Sequence, residues 1–318
     1  MIGYVAKRTG MLLVVLFAST IVVFLLLHMA PGNPAVILNG GHPPSRATLK
    51  YFDKLYGLNR PLPVQYLVWL EHLLEGNLGE SAVSRTSVVS VLAPRVSLTL
   101  FLTGYAIVIM VLVGVPLGVL SGVLRNGPID FLATSASLAL SAIPNYVTAV
   151  VMVVLFALEL PLFPALGGGG TGSFLTRLYH LTMPAIALGL ASTALASRTT
   201  RSAVIGELES PHVLGARARG FSEPRVVGKH ALRGALVPII TIVGANTGYL
   251  LGGAVVIEQA FGLNGLGNLL VTSVENKDYA VVQGIALFIT AEFLVINFIV
   301  DLLYGVIDPR VRLLGRIA

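Results

Sequence analysis

Two long stretches of this sequence contain no charged residue at all. One lies between Arg95 and Arg125, and the other lies between Asp130 and Glu159. A helix needs about 20 apolar residues to cross a hydrocarbon core of about 30 Å, because its backbone polar groups must be satisfied within the segment. The two stretches therefore predict two membrane-spanning helices, joined by the short turn at 125–128.

The composition supports a membrane class for the whole chain. Charged residues make up 11% of the 318 positions and the mean hydropathy is +0.85, whereas soluble domains carry about 25% charged residues. The net charge is +6, but the basic residues lie between apolar blocks and form no basic-aromatic surface, so no nucleic-acid partner is expected. The absence of cysteine excludes disulfides, thiolate metal sites and cysteine nucleophiles.

Four further spans are predicted in the same way. The first occupies the uncharged run 9–31 behind Lys7 and Arg8. A cleaved signal peptide is the alternative, but its apolar region would be too long, and Ala30-Pro31 is a poor cleavage site. The other three lie between Arg177 and Arg198, between Arg233 and Glu258, and from about Tyr279 to Tyr304.

The sequence predicts three regions. Residues 1–96 hold the first span and a long outer loop with interfacial helices, including an amphipathic stretch at 65–74. Residues 97–306 form a core with five spans, and residues 307–318 form a cytoplasmic tail. The predicted fold is thus an all-α integral membrane protein with six transmembrane helices.

The distribution of lysine and arginine predicts the orientation. With the N-terminus inside, the inner segments hold thirteen of these residues, and the two short outer loops hold only Arg177 and Lys277. The remaining six lie in the long loop at 32–95, where charge has less influence on topology. Both termini are therefore predicted to be cytoplasmic, in a multi-pass protein of the cell membrane.

The polar inner segment at 201–233 contains residues that are typical of helix starts and helix ends, and they predict a helix, a turn and a second helix. Ser210 before Pro211 predicts a helix start, Gly220 predicts a left-handed helix end, and Ser222 predicts the start of a second helix that ends near Leu232. Such an element has little core of its own, so it is expected to pack into a groove on a partner. A solvated basic loop that obeys the positive-inside rule is the alternative.

Ten short segments, spread in order over nearly the whole chain, resemble one family. They are APGNPA (30–35), YGLNRPLPVQY (56–66), GVPLG (114–118), ARARGFS (216–222), HALR (230–233), GYLLGGA (248–254), GLG (265–267), DY (278–279), DLLY (301–304) and DPR (308–310). With these segments the chain resembles the permease subunits of the dipeptide and oligopeptide branch of ATP-binding cassette (ABC) importers.

The resemblance implies a type I, MetI-like permease fold and an assembly with a second permease subunit, two cytoplasmic ATPase subunits, an extracytoplasmic solute-binding protein and the lipid bilayer. ATP and Mg would be bound by the ATPase subunits, and no cofactor is expected in this chain. The family docks its ATPase on the inner segment, and the residues carried over are Leu214, Gly215, Ala216, Arg217, Ala218, Arg219, Gly220, His230, Leu232 and Arg233.

The chain departs from the family pattern at three places. Ser210-Pro211-His212 stands where the family usually has an acidic-aromatic run, and Gly215 replaces a small polar residue. Asn33 stands where aspartate is more frequent. Contacts made by residues 210–215, and any acidic role at position 33, do not follow from the resemblance.

The sequence has no G-x-x-x-x-G-K-[ST] phosphate loop, so energy for transport is expected from a partner. The run 167–172 satisfies G-x-G-x-x-G, but no strand precedes it, and a flexible connector is predicted there. No metal-ligand spacing is present. The substrate is expected to be a peptide, with oligosaccharides or nickel chelates as alternatives.

Two acidic residues in the last span suggest functions other than that of an ABC importer. Glu292 is deeply placed, whereas Asp301 lies near the cytoplasmic end, where water or an interfacial arginine is expected to pair with it. A proton-coupled carrier and a non-transporting anchor or receptor are the alternatives to an importer. The candidate pathway-lining residues, which would otherwise form hydrogen bonds between helices, are Asn145, Asn246, Thr247 and Asn297.

Overall fold

The computed structural model of the chain describes residues 2–29, 35–36, 39, 42–56, 59–170 and 172–307, and its regular elements are helices. In chain order they are α1 (Ile2–Met29), α2 (Arg46–Tyr56), α3 (Leu62–Leu74), α4 (Val88–Val123), α5 (Pro128–Ala142), α6 (Asn145–Glu159), α7 (Phe174–Leu208), α8 (Pro211–Ala218), α9 (Glu223–Ala260), α10 (Leu266–Glu275) and α11 (Tyr279–Ile307). Stretches with π-helical hydrogen bonds lie inside α4, α6 and α9, at Met110–Gly114, Val154–Glu159 and Val226–Ala231.

Within the described residues, five helices are long and apolar enough to cross a membrane: α1, α4, α7, α9 and α11. The predicted third span instead consists of α5 and α6, which meet at an angle of 101° and together would make a sixth span. The break falls at Ile143 and Pro144, where Ile143 is extended with φ −84° and ψ 123°. Proline disfavours the helical region for the residue before it and offers no N–H, and both effects favour an interruption here.

Two helices are longer than the charge pattern predicted. α7 continues past Arg198 to Leu208, and α9 runs without interruption from Glu223 through Arg233 into the apolar segment. The predicted break between the second loop helix and the fifth span is therefore wrong. A charged side chain marks the end of a membrane span that is predicted from hydropathy. It does not end the helix itself, because the backbone hydrogen bonds continue past it.

The chain forms two compact units, and the first contains the described residues within 1–8, 101–263 and 296–318. At its centre lies α7, which buries fourteen side chains or glycines along its length. Three glycines of α4, Gly114, Gly118 and Gly122, follow at four-residue intervals and face α7. A Cβ atom on Gly114 would lie 2.7 Å from the carbonyl oxygen of Thr193, so the two backbones are in direct contact.

Contacts at the two ends of this unit show that α4 and α7 run parallel. At one end Arg125, just after α4, forms a 2.6 Å ion pair with Glu209, just after α7. At the other end the guanidinium of Arg177, in the first turn of α7, lies 4.6 Å from the centre of the Phe101 ring in α4. The residues at 125 and 209 therefore share one end of the unit, opposite the residues at 101 and 177.

The second unit contains the described residues within 9–100 and 264–295. Its core packs Val88 and Leu92 of α4 against Leu266 of α10 and against Val281 and Ile285 of α11. A tight turn at 79–88 lies on this core and is held by the buried carboxylate of Asp278. Oδ2 of Asp278 accepts a 2.5 Å hydrogen bond from Ser81, and Oδ1 accepts a 3.1 Å bond from the backbone N–H of Ala82.

Candidate functional site

Within the loop that joins α7 to α9, the short helix α8 has the start and the end that its sequence predicts. α8 starts after Ser210, whose φ of −70° and ψ of 147° are those of an N-cap residue, and Pro211 fills the first helical position. Gly220 follows the helix with φ +79°, which confirms the predicted left-handed end. The Ser210 hydroxyl does not cap α8, because it donates a 2.6 Å hydrogen bond back to the carbonyl of Glu207.

The same loop has a core of its own, contrary to the expectation from its sequence. Val213 of α8 is fully buried against Val226 and Ala231 of α9, with Leu208 and Phe221 packed around them. Val226 and Ala231 are five residues apart, and the π-helical stretch between them has hydrogen bonds from residue i to i+5, which bring such positions onto one face. Residues five positions apart do not lie on one face of a regular α-helix, so an α-helical pattern did not predict this core.

The side of the loop that faces away from this core carries arginines. Nε and Nη2 of Arg217 donate to the two carboxylate oxygens of Glu223 at 2.8 and 3.1 Å, which raises the pKa of the Arg217 guanidinium above its ordinary value. The ring of Phe221 stacks on His230 with 5.5 Å between ring centres. The guanidinium of Arg225 lies 5.1 Å from the centre of the Phe221 ring.

The predicted docking residues fall on both sides of this loop. Ala216 is fully buried, and Gly215, His230 and Leu232 are partly buried. Leu214 is 50% exposed, and the other exposed positions are Arg217, Ala218, Arg219, Gly220 and Arg233. We call Leu214, Arg217, Ala218 and Arg219 the coupling surface, after the role that the resemblance implies; it is a patch with two arginines and an exposed leucine.

Arg201, which the sequence placed at the start of this loop, lies inside α7 instead. Its Nε and Nη2 donate to the two carboxylate oxygens of Asp130 at 2.5 and 2.8 Å. Asp130 is buried in the first turn of α5 and also accepts a 2.5 Å hydrogen bond from Ser121 of α4. We call this group the Asp130 cluster. Sequence reasoning missed it, although an acid in the first turn after Gly127-Pro128 is a recognisable signal.

The four candidate pathway residues lie in the first unit, and two of them have hydrogen-bond partners in the preceding turn of their own helix. Asn246 and Thr247 are buried in α9 and donate to the carbonyls of Ile242 and Val243 in the preceding turn, at 2.8 and 3.0 Å. Asn145 begins α6 and faces α9, where its Nδ2 would lie 3.1 Å from a Cβ atom on Gly253. Asn297 is partly buried in α11.

The two acids of the last span differ in their surroundings. Asp301 forms a 2.9 Å ion pair with Arg8 of α1, which confirms the expectation that an interfacial arginine pairs with it. Glu292 lies in the second unit, and its Oε2 is enclosed without a hydrogen-bond partner among the described residues. Within the described part of the chain, no three His, Asp or Glu side chains are grouped as metal ligands.

Comparison with known proteins identifies the family. Residues 114–313 match the family described as the binding-protein-dependent transport system inner membrane component, and residues 1–103 match the N-terminal model of the same kind of component. The chain is 36% identical to the glutathione transport system permease protein GsiC of Pectobacterium atrosepticum, over 98% of this chain and 99% of the relative. Identity to GsiC of Escherichia coli K12 is 35% over the same shares.

The fold also has a solved counterpart. A chain of the MetNI methionine ABC transporter, solved in inward-facing conformations, matches 69% of this chain and 97% of its own length with a TM-score of 0.57 and 20% identity. At that identity the likeness shows the fold alone. The chain is therefore a multi-pass inner membrane protein, and it belongs to the family of inner membrane components of binding-protein-dependent transport systems, the permease subunits of ABC importers.

Proposed function

We propose that this chain is one of two permease subunits of an importer for small peptides, and that the coupling surface docks on a cytoplasmic ATPase. The second permease is a distinct but related chain, two ATPase subunits bind the ATP and Mg, and an extracytoplasmic binding protein delivers the solute. The observation that carries this proposal is the construction of the loop: its own core and its Arg217–Glu223 pair hold Leu214 and its neighbours outward.

The proposed topology has six spans with both termini in the cytoplasm. The contacts at 125 with 209 and at 101 with 177 support a crossing by the α5–α6 pair, because the chain must return to the far end before α7 begins. The hydroxyl of Tyr4 donates a 2.8 Å hydrogen bond to the carbonyl of Asp301, so the start of α1 and the end of α11 lie together. An even number of spans agrees with that proximity.

A peptide is the proposed solute because the GsiC relatives, which are 35–36% identical over nearly the full length, are named as glutathione permeases, and glutathione is a tripeptide. Oligosaccharides and nickel chelates remain the alternative cargo of the same machinery. Asn145, Asn246, Thr247 and Asn297 are the proposed pathway residues. The partner subunits are proposed to contribute the rest of the path and of the selectivity.

Retention of the ATPase subunits tests the docking role. The permease is purified with its partner subunits after Leu214→Asp, and the expected result is loss of the ATPases with the permease pair intact. An aspartate at this exposed leucine places a charge in the interface without disturbing the loop core. Leu74→Asp is the matched control, because Leu74 is a leucine that is 81% exposed outside this loop, and it should retain the ATPases.

Uptake into vesicles tests the transport role. Vesicles loaded with ATP and supplied with the binding protein are expected to accumulate labelled glutathione or a dipeptide, and Leu214→Asp should abolish the accumulation. If the Leu214→Asp assembly keeps its ATPases, the coupling surface does not dock them. Uptake that follows a proton gradient without ATP would instead favour a carrier that uses Glu292.

A further inference from the structure

The Asp130 cluster joins α4, the turn that follows it, and α7 to the start of α5 through one carboxylate. Ser121 of α4, the backbone N–H of Asn126 in the following turn, and Arg201 of α7 donate to it at 2.5, 2.9 and 2.5 Å. Thr134, one turn further along α5, adds a longer bond of 3.3 Å. Asp130 is only 4% exposed, and the lone pairs of its carboxylate are occupied by these donors, so it is a junction within the protein and not a free ligand site.

A junction of this kind contributes more to geometry than to stability. Burying two charges costs desolvation energy, and well-packed apolar residues of similar volume often stabilise a protein as well or better. A guanidinium that contacts a carboxylate with two parallel bonds, however, fixes both the separation and the direction of the two side chains. The Arg201–Asp130 pair has this two-bond geometry, at 2.5 and 2.8 Å.

The position of the cluster connects the coupling loop to the spans. Arg201 lies about two helical turns before the end of α7 at Leu208, and α8 with its coupling surface starts at Pro211. On the other side of the pair, Asp130 begins α5 directly after the turn that follows α4. A movement applied to α8 reaches α7 through the chain and α9 through the loop core, and the Asp130–Arg201 pair is a polar contact through which α7 holds the start of α5.

Close packing makes α4 and α7 move together, and α5 also packs along α7, but without a glycine that brings the two backbones into direct contact. Gly118 and Gly122 place the backbone of α4 directly against α7 at Ser197 and Arg201. No comparable glycine lies in α5, which spans Pro128–Ala142. The direction in which the start of α5 is held against α7 is therefore set by the two-bond contact of Asp130 with Arg201.

We propose that Asp130 and Arg201 are positioning residues for transport, which make movement of the coupling loop reach α5 and through it the bent α5–α6 pair. This inference rests on the proposed importer function. Loss of the pair leaves ATPase docking and ATP hydrolysis in place, but separates hydrolysis from solute movement. The expected signature is a fall in solute transported per ATP hydrolysed, which a purely structural role does not produce.

The test measures ATP hydrolysis and uptake in the same vesicles that contain the full assembly. Asp130→Asn and Arg201→Gln are expected to lower the uptake per ATP at least tenfold while the ATPases stay bound. Arg201→Lys keeps the charge but loses the two-bond geometry, so an intermediate loss is expected. Arg125→Gln is the matched control, because the Arg125–Glu209 pair lies at the same end of α7 with its side chains 50% and 67% exposed, and its ratio should stay within twofold.

A ratio equal to wild type in Asp130→Asn and Arg201→Gln overturns the proposal. Uptake and hydrolysis that fall together, in proportion to the amount of assembled protein, also overturn it and leave the cluster a stability element. If a single variant does not assemble, the double variant Asp130→Asn/Arg201→Gln removes both buried charges together, and it must still show the lowered ratio.

A second measurement does not depend on transport. Hydrogen exchange of the assembled protein with and without ATP is expected to change at 211–220 and at 126–134 in the wild type, and only at 211–220 in Arg201→Gln. An ATP response at 126–134 that survives Arg201→Gln contradicts the proposal. Failure of the importer function itself has a different signature, which is a wild-type assembly without ATP-driven uptake.

Discussion

Gly118 is a residue at which two helices of the first unit, α4 and α7, are in direct backbone contact. A Cβ atom there would overlap the carbonyl oxygen of Ser197 and lie 2.6 Å from Cβ of Thr200. Both neighbours belong to α7, and neither is the flexible end of a long side chain. The space therefore cannot be recovered by a change of rotamer, and α4 would have to move away from α7.

Gly118→Ala is accordingly expected to destabilise the permease, by about 1–3 kcal/mol for an overpacked contact. The matched control is Gly104→Ala in the same helix, where a Cβ atom meets nothing within 4 Å, and no loss is expected there. The measurement is the temperature at which each purified variant loses its monodisperse peak in size-exclusion chromatography. Equal midpoints for the two variants would show that α4 and α7 are not in this close contact.

Some residues of the site could be predicted because their signals lie in adjacent residues. Others could not, because their partners are far away along the chain. Ser210 and Gly220 were correctly predicted to flank α8, because N-cap residues and left-handed helix ends can be recognised from adjacent residues. Asp130 and Arg201 are 71 positions apart, and each reads in sequence as an ordinary charge at the edge of a span. Only the packing of α4 and α5 against α7 brings them together. The glycines at four-residue intervals in α4 indicate a close helix contact, but they do not identify the partner helix.

At the scale of elements, the loop helix α8 depends on how it ends. Gly220 has φ +79°, which costs a residue with a side chain about 1–2 kcal/mol. Gly215, one helical turn earlier, has no such constraint, and a Cβ atom at either glycine meets nothing within 4 Å. The two glycines therefore differ in backbone conformation and not in available space.

We expect Gly220→Ala to loosen the loop and Gly215→Ala to leave it intact or tighten it, because alanine favours a helix interior over glycine by about 1 kcal/mol. Limited proteolysis at the arginines of the loop measures the difference, with faster cleavage expected in Gly220→Ala. The same rate in both variants would mean that the left-handed turn contributes nothing to the order of α8.

At the scale of the whole molecule, the spacing of charged residues predicted the number and approximate position of the apolar blocks. It did not predict whether each block forms one unbroken helix. The uncharged stretch between Asp130 and Glu159 reads as one span, whereas α5 and α6 meet at 101°. Pro144 was visible in the sequence, yet many spans tolerate proline when neighbouring helices satisfy the freed backbone groups. Length and composition alone leave five or six crossings.

The absence of native cysteine allows a direct measurement of this topology, since each introduced cysteine is the only thiol. Arg125→Cys, Leu166→Cys and Ser222→Cys are each exposed positions between helices. Labelling with a membrane-impermeant maleimide, on intact and on inverted vesicles, assigns each position to one side.

Six spans place 125 and 222 on the cytoplasmic side and 166 outside, because the α5–α6 pair and α7 each cross once. If the pair instead dips into the membrane and returns, 125 and 166 share one side and 222 takes the other. The ion pair of Arg125 with Glu209 favours the first pattern, because residues 2.6 Å apart cannot lie on opposite faces of a bilayer. Labelling of 166 only from the cytoplasmic side would contradict the six-span topology and leave α5 and α6 as a re-entrant loop.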